Sequence, residues 1–450
     1  MIIHQFYDEA LAHASYAIVS EGEMAVVDPE RDPKQYLDFA REHQAEIKAV
    51  IETHPHADFV SSHAELHRRT GATIYNSRHL GADYPHEGFD EGDEIKVGGV
   101  TLRARNTPGH SPDSITVEAI DEEGHKRGAF TGDTLFIGDV GRPDLRENAG
   151  NLTAQREQLA REMYKTTRNV FLPMERDVMV YPAHGAGSLC GKNLSSKLSS
   201  TLGEQLQENP NLQEMDEESF VQNLLEGQPH VPKYFENSVE INKKGAPDFE
   251  PSVAAVSRLK ADEPLRDGVL VVDARPQEAF KQGHPYHAIN IQEGAKFETW
   301  LGSLVDPARK FYLVAGDQDT LERLIRRAAK IGYEQNILGV QVVNGGPESN
   351  ELLDMDSFRT HPEAYEIVDV RAENEGPNIF SHAKRIPLEQ LENRVDEVDT
   401  EKPVVVHCAA GYRSAAGFSI LQQALKEKEA QVFDLSETIQ SFMEEATTTS

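Results

Sequence analysis

Short apolar runs bounded by turn residues recur from Met1 to about Ser196, alternating with longer amphipathic stretches. Residues 15–19 and 24–28 flank Glu21-Gly22-Glu23 and predict a hairpin. Residues 33–45 have helical spacing with a proline near the start, and 61–70 have the same spacing up to Gly71. Runs at 47–51, 72–75, 95–97, 100–104 and 114–118 predict strands. This alternation predicts an α/β scaffold that carries its chemistry on strand-end loops. Residues 192–245 are polar and acidic, with helical pieces near Pro210 and further prolines at Pro229 and Pro232, and predict a helical appendage and linker without chemistry. The remainder repeats itself. Val269-Leu270-Val271-Val272-Asp273-Ala274-Arg275 is echoed by Glu366-Ile367-Val368-Asp369-Val370-Arg371, each followed by a His-bearing loop, a second buried strand and a helix. The repeated unit is domain-sized.

The chain of 450 residues is long enough for about three domains. Its formal net charge of −31, from 45 basic and 76 acidic residues, argues against nucleic acid and against an anionic membrane surface as partners. Anion binding would fall to local residues such as Arg142 and Arg413. Met1-Ile2-Ile3-His4-Gln5-Phe6-Tyr7 lacks the basic flank and long apolar core of a signal peptide, and no run predicts a bilayer span. Two cysteines form no disulfide framework, so a reducing cytoplasm is expected, with the thiols kept for chemistry.

Candidate chemistry gathers at the ends of the apolar runs. Thr53-His54-Pro55-His56-Ala57-Asp58-Phe59 follows the 47–51 run. A lone His-x-His is equally compatible with polar residues satisfied at a strand end. Three further segments change that balance: Thr107-Pro108-Gly109-His110-Ser111, Phe130-Thr131-Gly132-Asp133-Thr134 and Tyr181-Pro182-Ala183-His184-Gly185. Imidazole and carboxylate donors recurring at strand ends have the composition of a metal site. The order His-x-His-x-Asp, His, Asp, His resembles the metallo-β-lactamase superfamily, which implies an α/β fold in the form of an αββα sandwich. Two-metal hydrolases of that superfamily, the glyoxalase II thioesterases among them, carry His directly after the Asp; here Phe59 stands there. A phenyl ring cannot ligate a metal, so one ion is expected.

The second repeat adds a cysteine in Val406-His407-Cys408-Ala409-Ala410-Gly411-Tyr412-Arg413. A thiol between a strand and a helix N-terminus faces backbone N–H groups and a positive helix end, both of which favour an anion on sulfur. Ala409, Ala410, Gly411 and Tyr412 form the loop expected to receive substrate, and Arg413 offers a fork for a sulfur oxyanion. Phosphatases use a Cys-x5-Arg loop, one residue longer than this one. The Asp-x-Arg strands and the duplication resemble the rhodanese family, sulfurtransferases that carry sulfur as a Cys persulfide. The matching loop of the first repeat, Val314-Ala315-Gly316-Asp317-Gln318-Asp319, has no cysteine and is acidic, so that copy is expected to be inactive.

Taken whole, the chain resembles the bacterial persulfide dioxygenase–rhodanese fusions. The resemblance implies a dioxygenase domain with helical extension at 1–245, an inactive rhodanese-like domain at 246–348 and an active one at 349–450. It implies one non-haem Fe(II) held by His54, His110 and Asp133, with positions open for O2 and substrate. His56, Asp58 and His184 would orient the ligands or bind substrate. The implied reaction oxidises glutathione or coenzyme A persulfide to sulfite, with Cys408 making or using thiosulfate, in a cytoplasmic homo-oligomer (dimer or tetramer) that detoxifies sulfide. The family places an arginine after the aspartate ligand, which makes Arg142 in Gly138-Asp139-Val140-Gly141-Arg142 the candidate substrate contact. Gly185-Ala186-Gly187-Ser188-Leu189-Cys190-Gly191-Lys192 superficially resembles a phosphate loop. Ala186 stands where its first glycine belongs and Asn193 where Ser or Thr belongs, so no nucleotide triphosphate is expected. Cys190 lies near His184 in sequence and is expected beside the metal, either accepting or shuttling a persulfide or simply packing as a small residue. Gly185-Ala186-Gly187 stands where single-chain persulfide dioxygenases carry an aromatic residue, which leaves the thiol carrier open. The competing expectation is a glyoxalase-II-like Zn thioesterase fused to a sulfurtransferase, working through a metal-bound hydroxide.

Overall fold

The computed structural model describes residues 1–144 and 152–448. The chain divides into two compact units, Met1–Ala254 with Ala328–Tyr333, and Ala255–Arg327 with Glu334–Ser450.

In the first unit, β1 (Ile2–Asp8), β2 (His13–Ser20), β3 (Glu23–Val27), β4 (Glu46–Ile51), β5 (Thr73–Asn76) and β6 (Glu87–Gly88) form one sheet in that order. The first three strands are antiparallel and the pairs from β3 onward are parallel. A second sheet holds β7 (Glu94–Val97), β8 (Val100–Asn106), β9 (Ile115–Ile120), β10 (Lys126–Gly132), β11 (Met179–Pro182) and β12 (Ser200–Thr201), with β10 and β11 parallel and the other pairs antiparallel.

Successive side chains of a strand point to opposite faces, and this places each sheet between two apolar layers. Tyr16 and Ile18 of β2 meet Val27, Ile51, Leu102, Val117 and Phe130 between the sheets, while Ala17 and Val19 face Tyr36, Phe39 and Leu66 outside. Helices Lys34–Glu42 and His63–Thr70 supply that outer layer. Ala129 and Val180 meet Ala160, Met163, Phe220 and Leu224 on the far side, from helices Leu152–Thr166 and Glu217–Leu225. The result is the expected αββα sandwich. Phe130 is wholly buried and contributes roughly 1.5–3 kcal/mol by leaving water.

Two differences from the sequence reading have physical causes. β1 was not expected, because it pairs only with β2 and most of its residues are no more than half-buried, so its apolar signal is weak. The acidic 192–245 stretch is no simple appendage: Leu202, Leu212, Phe220, Val221 and Leu224 are buried in the outer core layer. Gly71 ends its helix as expected, at φ 74°.

The second unit holds two four-stranded parallel sheets of the same order. β13 (Leu270–Asp273), β14 (Ala288–Asn290), β15 (Phe311–Ala315) and β16 (Ile337–Val342) lie as β14-β13-β15-β16; β17 (Glu366–Asp369), β18 (Lys384–Arg385), β19 (Val404–His407) and β20 (Val432–Asp434) lie as β18-β17-β19-β20. The Asp-x-Arg echo has a structural purpose: Arg275 forks onto Asp273 and Arg371 onto Asp369, at 2.6 and 2.7 Å. Among the described residues no helix is long and apolar enough to cross a membrane.

Candidate functional site

The ends of β4, β8, β10 and β11 bring His54, His110, Asp133 and His184 into one buried pocket. His54 Nε2 and His110 Nε2 lie 3.7 and 3.6 Å from Asp133 Oδ2, and the three donor atoms all lie within 4.8 Å of one another. The proton positions follow from the partners. His110 Nδ1 is 2.8 Å from the carbonyl of Arg142, which only accepts, so Nδ1 carries the proton and Nε2 the lone pair. Thr53 Oγ1 donates to Asp28 Oδ2 at 2.8 Å and so accepts from His54 Nδ1 at 3.1 Å, again leaving Nε2 as an acceptor.

Two imidazole lone pairs and a carboxylate oxygen therefore face one point. Asp133 Oδ2 is buried with no hydrogen-bond partner among the described residues, an arrangement that costs about 1–3 kcal/mol or more unless a cation meets it. Two imidazoles and one carboxylate fit a divalent transition metal, and His54, His110 and Asp133 would hold it. Backbone geometry permits the approach. A Cβ on Gly141 would stand 1.8 Å from the Asp133 carbonyl oxygen, and one on Gly132, at φ 52°, would stand 2.4 Å from Thr53 Oγ1.

Behind these donors, His184 Nδ1 bonds Asp133 Oδ1 at 2.6 Å, and its Nε2 lies 2.7 Å from Asp58 Oδ2. Burial alone would lower the pKa of His184, but the Asp133 and Asp58 carboxylates hold it well above its ordinary value. His56 turns to Asp28, Nε2 to Oδ1 3.2 Å. Two further donor groups share the pocket, His56–Asp133–His184 and Asp58–His184–Cys190. Phe59 is buried with its ring 4.4 Å from His56 and 3.9 Å from His13.

Cys190 lies in this pocket, and burial, with Asp133 and Asp58 nearby, pushes its thiol well above the ordinary value. Arg142, expected as a substrate contact, is buried with its fork on Asp144 at 2.5 and 2.7 Å, and its Nη1 donates to the Leu189 carbonyl at 3.2 Å. Its backbone N–H donates to the Cys190 carbonyl at 3.0 Å. In this geometry Arg142 fastens the loop carrying Cys190 rather than presenting a free fork.

Three residues escaped the sequence reading. His13 opens β2 and is buried against His56, Phe59 and His184; burial and the neighbouring imidazoles push its pKa well down, so it is neutral. Asn242, on helix Phe235–Lys244, holds the ligand loop at three points: its Oδ1 accepts from Ser61 N, and its Nδ2 donates to the His56 and Phe59 carbonyls, each at 2.8 Å. Tyr234 donates its hydroxyl to the Asp58 carbonyl at 3.1 Å. His4 and His43 are also histidines outside the expected set, so residue type alone offered no signal for His13.

In the second unit, Cys408 is buried between β19 and helix Tyr412–Ala424, and Gly411, at φ 91°, donates its N–H to Sγ at 3.1 Å. Ala409 is half-buried and Ala410 exposed. Tyr412, expected to touch substrate, instead donates its hydroxyl to the Gln292 carbonyl of the first repeat at 2.7 Å. Arg413 is paired with Glu375 through both terminal nitrogens, Nη2 to Oε2 at 2.7 Å. In the first repeat Asp317 occupies the loop, accepting from Thr320 N and Thr320 Oγ1 at 2.8 and 2.9 Å.

The family model for the metallo-β-lactamase superfamily matches residues 8–184, and that for the rhodanese-like domain matches 255–349. The crystal structure of a metallo-β-lactamase from Staphylococcus aureus subsp. aureus COL is similar at 32% identity and TM-score 0.68, covering 76% of this chain and 99% of that one. The cytoplasmic hydroxyacylglutathione hydrolase of Arabidopsis thaliana is 33% identical over 132 residues, 28% of this chain and 51% of its own. The mitochondrial persulfide dioxygenase ETHE1 of Homo sapiens is 30% identical over 136 residues, 30% of this chain and 48% of its own. The alignments thus span about half of each of these two proteins. With this fold and this donor cluster, the chain belongs to the metallo-β-lactamase superfamily, and a rhodanese-like domain follows the metal-binding fold.

Proposed function

We propose that the first unit is a persulfide dioxygenase working with one Fe(II), and that the second moves sulfane sulfur through Cys408. The observation that carries this reading is the convergence of two imidazole lone pairs and one carboxylate oxygen. Such a set leaves room for both a substrate sulfur and O2. Phe59 withholds the extra donor that two-metal hydrolases use. A ferrous ion held by His54, His110 and Asp133 would supply the redox chemistry for R–S–SH + O2 + H2O → R–SH + SO3²⁻ + 2H⁺. The protein's own part is to orient His54 through Thr53 and Asp28, to fix the tautomer of His110 through the Arg142 carbonyl, and to line the pocket with Phe59 and His13.

At the second centre, the Cys408 thiolate attacks the outer sulfur of R–S–SH, the S–S bond breaks and RS⁻ leaves, giving Cys–S–SH. Sulfite then takes that sulfur as thiosulfate and restores the thiol. The proposed partners are small: a thiol persulfide, O2, sulfite and thiosulfate, in a cytoplasmic homo-oligomer. Iron-loaded protein should consume O2 only when given glutathione or coenzyme A persulfide, and zinc-loaded protein should not. Cys408→Ser should keep O2 uptake while its product shifts from thiosulfate to sulfite; an unchanged thiosulfate yield would sink the coupling.

A second reading is a Zn thioesterase. It is favoured by the similarity to the Arabidopsis hydrolase and by His56, Asp58 and His184 sharing the pocket. Zinc-dependent, O2-independent thioester cleavage would decide for it.

A further inference from the structure

Arg413 sits on the first turn of the helix after Cys408, and Cys408 is among the groups that raise its pKa. It is the group that this loop offers to an anion at sulfur, and it is already taken. Both terminal nitrogens meet the carboxylate of Glu375, a bidentate charge-assisted pair. Glu375 is no wandering surface side chain. Its Oε1 accepts from Ala372 N and its carbonyl from Arg371 Nη1, each at 3.0 Å. Arg371 also donates to the Pro377 carbonyl at 2.8 Å, and Arg385 to the Gly376 and Glu373 carbonyls at 2.8 and 3.3 Å. Both arginines are anchored on Asp369. The 372–377 loop is therefore strapped so that Glu375 reaches Arg413. The first repeat makes the same Arg275–Asp273 pair, yet helix Gln277–Gln282 begins where this loop would run. The strapped carboxylate belongs to the copy that has the cysteine. Glu373 and Glu389 add negative charge around it.

We propose that Glu375 is a specificity residue: a built-in carboxylate that holds the oxyanion seat of Arg413, so that Cys408 loads from persulfides of organic thiols, which carry no sulfonate group, in preference to thiosulfate. This rests on the sulfurtransferase reading of Cys408. When R–S–SH is the donor, the electron pair of the broken S–S bond leaves on a thiolate that asks nothing of Arg413. When thiosulfate is the donor, that pair leaves on sulfite, whose three oxygens need the guanidinium. Sulfite and thiosulfate enter only by displacing Glu375.

The test uses the full-length protein with Glu375→Gln, which keeps the shape and removes the charge, and Glu375→Ala as a second variant. Sulfate, a tetrahedral dianion that cannot transfer sulfur, is titrated as a protectant of Cys408 against iodoacetamide, with labelling read at the Cys408 peptide by mass spectrometry. The sulfate needed for half-protection should fall about tenfold in both variants, the scale of one charge-assisted contact. The rate of Cys408 loading from thiosulfate relative to glutathione persulfide should rise by a similar factor. An unchanged or higher sulfate requirement in both variants overturns the proposal. Tighter protection without sulfur transfer in any form of the protein supports Glu375 as the holder of the seat and overturns the sulfurtransferase reading instead.

Discussion

Asn242→Ala should loosen the metal pocket from a helix far along the chain. The side chain makes three buried hydrogen bonds, one accepted from Ser61 N and two donated to the His56 and Phe59 carbonyls. Truncation leaves one N–H and two C=O groups without that partner. Each such group costs about 1–3 kcal/mol when nothing replaces the bond. Water entering the space left by the amide would offset part of this, so a net loss of about 2–5 kcal/mol is expected. Because the loop carries His54, metal affinity should also drop by about 10–100-fold, the usual effect of losing a group that orients metal ligands. The loss should be local. Hydrogen exchange of residues 54–61 should quicken. Asn242→Asp should be no better than alanine, since a carboxylate keeps the acceptor for Ser61 N but turns an oxygen toward two carbonyls. Protection of 54–61 and metal affinity both unchanged within error would refute the reasoning.

Other consequences can be checked separately. His110→Ala and Asp133→Asn should each abolish stoichiometric metal binding by elemental analysis, whereas Cys190→Ser should retain it. Gly141→Ala should cost roughly 3 kcal/mol or more, because the added carbon falls on the backbone oxygen of Asp133; a normal yield of metal-loaded protein would contradict this. The second unit should lose stability in acid. Burial works against ionisation of Asp369, but hydrogen bonds from Arg371 and the nearby His407 leave its pKa below the ordinary value. A depressed folded value gives stabilisation that is complete above the unfolded pKa, about 3.9. It is lost as pH falls through the folded value. Trp300 fluorescence in urea should show the midpoint falling below about pH 4, with Asp369→Asn flattening that dependence.

Where the chemistry lay at strand ends, the sequence was informative. His54, His110, Asp133 and His184 each follow an apolar run, and a buried strand leaves little freedom over where its end projects. Cys408 was visible for the same reason. What escaped came from positions whose partners are remote. His13 opens an ordinary strand, and its place against Phe59 depends on how the two sheets meet. Asn242 sits in a stretch that reads as polar linker, 186 residues from the carbonyl of His56. Arg142 reads as a substrate contact because sequence shows a charge and not its partner; Asp144, two residues on, takes the fork. Glu375 and Arg413 repeat that lesson in the second unit. A neighbouring carboxylate alters what an arginine can do, and only the fold says which carboxylate is near.

The two repeats also divide one backbone resource in opposite ways. Asp317 and Gly411 each stand immediately before the helix that follows the second central strand. Asp317 accepts from Thr320 N with its own carboxylate, closing the helix end and stabilising it by about 1 kcal/mol. Gly411 has no side chain to do this and gives its N–H to sulfur. On the proposed sulfurtransferase reading, the first repeat is free to be a steady neighbour, while its twin tolerates an unfinished helix end for the sake of reactivity at Cys408. On that reading duplication separates robustness from reactivity, so that a change at Gly411 should be felt first in sulfur transfer and one at Asp317 first in heat resistance.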